Sequence, residues 1–256
     1  MAGTGQIPGN GLNFLFFRRM LSSPSVSVII PLFNAERFFA RAIHSIRNQG
    51  IEPLEILVVD DGSTDASLEI ARELARDYPP MRVWSQPNRG PSSARNAALR
   101  QARGELLFFL DADDEYAPGA WKFLLEQFAV LQKNEGVSTQ TPLVIRGKLQ
   151  HLLFQKDSWQ LYGEPCDLTV VNTNLYTRPV FDVVGFFDED LRSCEDTDWL
   201  IRAQDLQIPM PQHEKVTLYY RRHDANLTLD KALAKSNRLL MFKKRLDRQR
   251  AKQNGS

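Results

Sequence analysis

Residues 105–116 read ELLFFLDADDEY, and this stretch decides how the rest of the chain is interpreted. Its first part, 105–110, is mostly apolar and aromatic, which is typical of a strand buried on both faces of a sheet. The strand ends abruptly in Asp111, Asp113 and Asp114, whose carboxylates repel one another. Mg2+ or Mn2+ would relieve that repulsion, and such cations usually bind through carboxylates together with substrate phosphates. The sequence therefore predicts a cation–diphosphate site here, with a solvated acidic turn as the alternative.

The overall composition is that of a water-soluble enzyme-sized chain with balanced charge. The 256 residues suffice for one large domain or two small ones, and the formal net charge is +1. No global field therefore indicates nucleic acid or an anionic membrane surface as a partner. Cys166 and Cys194 lack the spacing of metal ligands, and so few cysteines are typical of a reduced, cytoplasmic protein. No apolar run approaches the ~20 residues of a membrane span.

The first half alternates strands with helices. We predict strands over 26–31, 54–59, 81–85 and 105–110, and helices over 34–48, 65–78 and 92–102, the last closed by Gly104. This alternation predicts a parallel α/β sheet with right-handed crossovers. Because ligands of such sheets bind at the carboxyl ends of the strands, the polar groups at 31–34, 60–61 and 111–114 are expected to lie close together.

The second half is less regular. We predict helices over 119–133 and 178–184, a hairpin of strands over 143–154 and 159–161, a strand containing Val170 and Val171, a helix that begins at the acidic residues 195–198, and a strand over 216–220. Negative charge is favourable at the start of a helix, and Asp198 and Arg202 are expected to pair on the surface of this one.

Two segments flank the predicted domain at 25–228. Residues 1–24 form a predicted flexible tail, whose apolar part, 12–21, packs on the domain, stays disordered or acts as a weak interfacial anchor. Residues 229–256 form a predicted basic helix, over 230–252, and a short tail. This helix presents either the solvated face of a packed helix or a surface that contacts an anionic membrane.

Five motifs occur in series: VIIPLFN at 28–34, VVDDGSTD at 58–65, NRGPSSARN at 88–96, LDADD at 110–114 and EDTD at 195–198. In this order and at these intervals, the chain resembles the family 2 glycosyltransferases of the GT-A fold. The resemblance implies one α/β domain, a Rossmann-like mixed sheet with helices on both faces. It also implies a nucleotide-binding half over about 25–116 and an acceptor-binding half over about 117–228.

The resemblance implies a nucleotide site as well. Its predicted residues are Pro31, Phe33, Asn34, Asp61, Asn88, Arg95 and Asp111. Phe33 takes the position of an aromatic residue beside the nucleobase, where stacking is worth ~1–3 kcal/mol, or it is an ordinary core residue. Asp61 matches the carboxylate that accepts the ring N–H of uracil or thymine, whereas Asp60 is expected to orient the turn. Arg221 or Arg222 is a further candidate for contact with the diphosphate.

The same match assigns the metal and the catalytic base. It implies that Asp113 coordinates Mn2+ or Mg2+ directly and that Asp111 lies near the ribose and the metal-bound waters. His223 is either a further metal ligand or a structural histidine. Asp196 matches the base that deprotonates the acceptor hydroxyl, with Glu195 holding the acceptor or Asp196 itself, and the alternative for Asp196 is a helix N-cap.

The expected activity is inverting, metal-dependent transfer of a sugar, most simply from a UDP-sugar, to a hydroxyl of a glycan, a lipid-linked acceptor or another glycoconjugate. Such a protein would act in polysaccharide biosynthesis, in the cytoplasm, with peripheral contact to the inner face of the membrane as a further expectation. One alternative is a catalytically inactive nucleotide-sugar-binding module of a polysaccharide-assembly complex. Another is a phospho-receiver domain, which would be a short five-stranded domain.

Overall fold

The computed structural model describes residues 24–155, 158–167, 170–224, 226 and 229–254. The predicted N-terminal tail lies outside these residues except for Pro24. The strands are β1 (Val26–Leu32), β2 (Glu55–Asp60), β3 (Met81–Ser85), β4 (Leu106–Phe109), β5 (Glu115–Tyr116), β6 (Val144–Gln155), β7 (Ser158–Cys166), β8 (Asn174–Thr177) and β9 (Gln212–Arg222). The α-helices are α1 (Phe39–Arg47), α2 (Ser67–Arg76), α3 (Pro91–Leu99), α4 (Ala120–Glu135), α5 (Val180–Val184), α6 (Glu195–Asp205) and α7 (Lys231–Asn254).

All nine strands join one mixed sheet in the order β3-β2-β1-β4-β8-β6-β9-β5, with β7 paired to β6 outside this path. The strands of the first half, β3, β2, β1 and β4, are mutually parallel, as the alternation of strands and helices predicted. β8 then runs antiparallel to β4, and β6 is parallel to β9. A sheet of this size is not that of a five-stranded receiver domain, so that alternative is wrong.

Helices cover both faces of the sheet, which confirms the predicted layering. On one face α1 and α4 pack against the central strands through Phe39, Ile43, Trp121, Leu124 and Phe128. On the other face α3, α5 and α6 contribute Ala94, Ala98, Phe181, Trp199 and Leu200. Because both faces are covered, every residue of β2 and β4 is buried, which explains why residues 56–59 and 106–109 are continuous apolar runs. Within the described ranges, no helix is both long and apolar enough to cross a bilayer.

Several elements differ from the sequence-based predictions, and β7 and β9 extend well beyond the predicted 159–161 and 216–220. The helix expected from residue 34 begins only at Phe39, because Asn34 adopts a left-handed backbone (φ 46°) within an irregular loop. Val171 lies in a 3-10 turn rather than a strand, and β8 starts at Asn174, whose side-chain amide donates to the carbonyl oxygen of Val170 and so closes the turn. The two-residue strand β5 was missed, since it forms only by pairing with β9, far along the chain.

Gly104 does not close α3, which ends at Leu99, but instead lies against β1. Its amide donates to the hydroxyl of Ser27 over 2.8 Å. A Cβ atom at this position would lie 2.4 Å from the backbone nitrogen of Ser27. Only glycine therefore lets the chain enter β4 at its observed distance from β1.

We expect Gly104→Ala to lower the free energy of unfolding by about 2–3 kcal/mol, because the added methyl group must displace the backbone of β1. Urea denaturation followed by circular dichroism measures this loss. Gly50→Asn is the matched control, since a Cβ there meets nothing within 4 Å and asparagine tolerates its positive φ. Equal stability of Gly104→Ala and the unmodified protein would contradict the tight approach.

Candidate functional site

A cleft of about 510 Å3 opens at the carboxyl edge of the parallel strands, a size typical of small-molecule sites. Eleven of the site residues predicted from the sequence line it: Pro31, Phe33, Asn34, Asp61, Asn88, Arg95, Asp111, Asp113, Glu195, Asp196 and His223. The residues come from the ends of β1, β2 and β4, the start of α3 and α6, and the segment after β9. A second cavity of about 280 Å3 beside α1 contains none of them.

The side chain of Phe33 stands at the wall of this cleft and is 49% exposed. The alternative that it is an ordinary core residue is therefore wrong. The neighbouring loop is tied down by Asn34, whose amide donates to the hydroxyl of Ser63 (3.0 Å) and whose side-chain oxygen accepts from the amide of Thr64 (2.8 Å). The aromatic ring is thus exposed on a backbone that is held in place.

Asp61 and Asp60 are both buried but do different things. Asp61 accepts hydrogen bonds from the backbone amides of Arg89 (3.0 Å) and Gly90 (2.7 Å), so its carboxylate is fixed at the edge of the cleft. Asp60 accepts from the amide of Ser63 and the hydroxyl of Ser85, which orients the turn as predicted. Gly62, which follows Asp61 directly, has φ 76°, a conformation that favours glycine.

Arg95 is buried and bridges two carboxylates. Its terminal nitrogens donate to Asp111 and to Glu195, each over 2.6 Å. Burial by itself would lower the pKa of Arg95, but the two carboxylates outweigh that effect and raise the pKa. The other oxygen of Asp111 accepts from the side-chain amide of Asn172 (2.8 Å), a residue that no motif identified. Arg95 thus connects the end of β4 to the start of α6, and its predicted contact with a nucleotide stays a prediction.

Asp113 pairs with His223, Nε2 of the imidazole lying 2.9 Å from a carboxylate oxygen. The side-chain amide of Asn226 lies 3.1 Å from the same imidazole nitrogen. Among the described residues, no group of three or more His, Cys, Asp or Glu side chains has the arrangement of a complete metal site. The pair nevertheless fits a cation that takes its other ligands from phosphates and water, as Mg2+ commonly does.

Arg221 lies beneath this pair and not in the cleft. Its guanidinium donates to the backbone oxygen of Asp113 (2.6 Å) and to the carboxylate of Glu115, and its backbone amide donates to Asp114 (2.9 Å). Burial, together with the neighbouring carboxylates, raises the pKa of Asp114 well above its usual range. Neither Arg221 nor Arg222 lines the cleft, so their predicted contact with a diphosphate is wrong. Arg221 instead shapes the acidic turn from below.

Asp196 faces the cleft from the first turn of α6. The N-cap of this helix is Cys194, which has φ 65°, so the N-cap alternative for Asp196 is wrong. Burial and the charge of Glu195 raise the pKa of Asp196 to about 7, against the opposing charge of Arg95. A carboxyl group that titrates near neutral pH suits a general base.

The predicted pair of Asp198 and Arg202 is present at 2.8 Å, but it is not on the surface. Asp198 is fully buried and also accepts from Arg248 of α7 at 3.0 Å. The spacing of four residues identified the pair in the sequence. The burial of Asp198, by contrast, results from the packing of α7 against α6.

Residues 27–152 match the family model described as Glycosyl transferase family 2. Over 236 residues the chain is 27% identical to the chondroitin synthase of Escherichia coli. This match covers 88% of this chain and 33% of that protein. Over 106 residues it is 39% identical to the GalNAc(5)-diNAcBac-PP-undecaprenol beta-1,3-glucosyltransferase of Campylobacter jejuni, covering 41% of this chain and 34% of that one. The matches thus span about a third of these two relatives.

Among solved structures, S. aureus TarS 1-349 in complex with UDP-GlcNAc superposes with a TM-score of 0.64 at 24% identity. The match covers 80% of this chain and 61% of that one. This likeness concerns the fold, which is the GT-A fold expected from the motifs.

We expect Arg95→Met to lower the free energy of unfolding at pH 7 by about 3–5 kcal/mol, because it leaves two carboxylates without their buried partner. The matched control is Arg89→Met, since Arg89 is 66% exposed and its ion pair with Glu189 is worth less than about 1 kcal/mol. Urea denaturation measures both. A loss that is equal for the two variants would contradict the bridging role.

Proposed function

Since the chain belongs to glycosyltransferase family 2, we propose that it transfers a sugar from a nucleotide diphosphate donor, a UDP-sugar, to an acceptor hydroxyl with inversion at the anomeric carbon. One observation carries this proposal. A single cleft holds an exposed aromatic ring, a carboxylate–imidazole pair and a separate carboxyl group whose pKa is about 7. These are the parts needed to bind a base, to hold a cation with a diphosphate, and to deprotonate a hydroxyl.

The donor's base is proposed to stack on Phe33 and to donate its ring N–H to Asp61. The ring is exposed, and the carboxylate is held by two backbone amides, so both groups are organised before the ligand arrives. TarS, whose fold this chain shares, is described in complexes with UDP and with UDP-GlcNAc. We extend a UDP-linked donor to this chain as part of the proposal.

The cation, Mn2+ or Mg2+, is proposed to be held by Asp113 and His223, with Asp111 contacting its waters. When bound, such a cation neutralises the charge that develops on the departing nucleoside diphosphate. The protein's own contribution is to hold these ligands in place. Arg95 and Asn172 fix the two oxygens of Asp111, and Arg221 fixes the backbone of Asp113.

Asp196 is proposed to take the proton from the acceptor hydroxyl as its oxygen attacks the anomeric carbon. A base with a pKa of about 7 is about half ionised at neutral pH, yet it is a stronger base than an ordinary carboxylate. Glu195, the preceding residue, raises the pKa of Asp196, because its negative charge disfavours ionisation of Asp196. The carboxylate of Glu195 is itself held by Arg95.

The acceptor is proposed to be a glycan hydroxyl, with a lipid-linked glycan as the class suggested by the name of the Campylobacter jejuni relative. A role in polysaccharide biosynthesis follows the names of the chondroitin and hyaluronan synthases that resemble this chain. The alternative, a catalytically inactive sugar-nucleotide-binding module, is less consistent with the site, because Asp196 keeps the environment of a base. Release of nucleotide from the donor separates the two functions.

Titration calorimetry with UDP tests the donor site. We expect Mn2+ to tighten UDP binding at least about tenfold and Asp113→Ala to remove this coupling, since the cation then lacks its carboxylate ligand. Asp77→Ala, a change at an exposed position after α2, serves as the control and should keep the effect of Mn2+. If UDP, GDP and dTDP all fail to bind in the presence of Mn2+, the proposed function is wrong.

The pH dependence of donor turnover tests Asp196. The rate, measured as UDP release with mixed glycan acceptors, should rise with pH through about 7, because only the ionised carboxylate can accept a proton. Asp196→Asn should reduce the rate about 10²- to 10⁴-fold and leave UDP binding unchanged.

Glu195→Gln provides a directional check on the same prediction. Removing the charge of Glu195 lowers the pKa of Asp196, and Arg95, freed from one partner, acts in the same direction. The acid limb of the profile should therefore move to lower pH. A limb that stays in place or moves upward would contradict the assignment of Asp196 as the titrating base.

A further inference from the structure

The C-terminal helix α7 packs on the domain through one face that is rich in ion pairs. Lys244 contacts Asp188 and Asp190, while Arg245 contacts Asp205 and Arg248 contacts Asp198, at distances of 2.6 to 3.0 Å. Between these pairs, Met241 is buried, and the buried side chain of Asn237 accepts a hydrogen bond from the amide of Arg192. One side of the helix is thus fixed to the acceptor half.

The opposite side of α7 carries a stripe of large apolar residues that nothing in the described structure covers. Leu239, Phe242 and Leu246 follow one another at spacings of three and four, so they lie along one line of the helix. Their exposed fractions are 63%, 47% and 53%. Single exposed apolar residues are ordinary, but a continuous stripe indicates a surface that binds something.

Positive charge surrounds this stripe. Lys235, Arg238 and Lys243 are exposed beside it and form no ion pair with any residue that the structure describes. The acidic partners of Lys244, Arg245 and Arg248 contact the packed face of α7, and the exposed Asp247 pairs with Arg250. The outward face therefore combines apolar side chains with uncompensated cations, although the whole chain has a net charge of only +1.

We propose that the outward face of α7 binds the surface of an anionic lipid bilayer. Amphipathic helices of this composition lie in the interface plane, with their apolar residues in the headgroup region and their cations beside anionic lipids. A second copy of the chain fits less well, because a stripe of three residues on one helix is small beside the ~800 Å2 that each partner buries in a stable complex. Two identical cationic faces would also repel each other.

The position of α7 relates the bilayer to the cleft. Leu233, in the first turn of the helix, lines the cleft, and so does Arg192, whose backbone is bonded to Asn237. A bilayer bound along α7 would therefore lie next to the mouth of the cleft, where a lipid-linked acceptor could enter without leaving the membrane. The entry of a lipid-linked acceptor rests on the proposed function, whereas the binding of α7 to the bilayer does not.

Co-sedimentation with vesicles tests the docking. The full chain should pellet with vesicles of phosphatidylcholine and phosphatidylglycerol at low salt, and binding should fall at least about tenfold in 0.5 M NaCl or with phosphatidylcholine alone. The triple variant Leu239→Ser, Phe242→Ser, Leu246→Ser and the double variant Lys235→Glu, Lys243→Glu should each lose at least about tenfold in vesicle affinity. Leu54→Ser, at a position 46% exposed before β2, should bind like the unmodified chain.

Two further measurements make each outcome decisive. Circular dichroism and thermal unfolding should show that the variants keep the fold, since the altered side chains are exposed. Failure of the unmodified chain to bind anionic vesicles, or binding that the two α7 variants leave intact, overturns the proposal. So does a dimer, detected by sedimentation, that the same variants dissociate. Vesicle binding without UDP binding would instead leave the docking in place and reject the proposed transferase function.

Discussion

Two carboxylates from opposite halves of the chain meet at the guanidinium group of Arg95. Asp111 ends a strand of the parallel sheet, and Glu195 begins the helix that carries Asp196, and each lies 2.6 Å from a nitrogen of Arg95. The buried guanidinium of Arg95 is stable only when its partners are present, because it has lost its water. The bridge therefore fixes α6 against the edge of the sheet and with it the position of Asp196.

The acidic residues of the cleft differ mainly in the groups that bind their carboxylates. Asp61 accepts hydrogen bonds from backbone amides, Asp111 and Glu195 share Arg95, and Asp113 faces His223. These four carboxylates are held in fixed positions by their partners. Asp196 accepts hydrogen bonds from the backbone amide and the hydroxyl of Thr197. Asp196 is half-buried at the wall of the cleft, and its loss of solvent contact together with the neighbouring charge of Glu195 raises its pKa to about 7.

A second buried arginine gives the acidic turn its shape. Arg221 holds the backbone of Asp113 and the carboxylate of Glu115, and its guanidinium lies 5.2 Å from the ring centre of Phe38 and 4.9 Å from that of Trp159. The turn after β4 is thus held from below by the acceptor half. The two arginines together explain how one edge of the sheet can carry so many acids in a folded chain.

The sequence by itself determined the strand–helix alternation, the buried central strands and the acidic residues that line the cleft. These are local properties: the side-chain period and the turn residues specify an element, and parallel strands bring their carboxyl ends to one edge. Only the tertiary structure decided that Arg95 bridges Asp111 and Glu195, that Arg221 turns inward, that Asp196 titrates near pH 7, and which face of α7 is left uncovered. Each of these depends on contacts between distant segments, such as Arg95 and Glu195, which are 100 residues apart. No local pattern encodes the burial, the partners or the electric field that such contacts create.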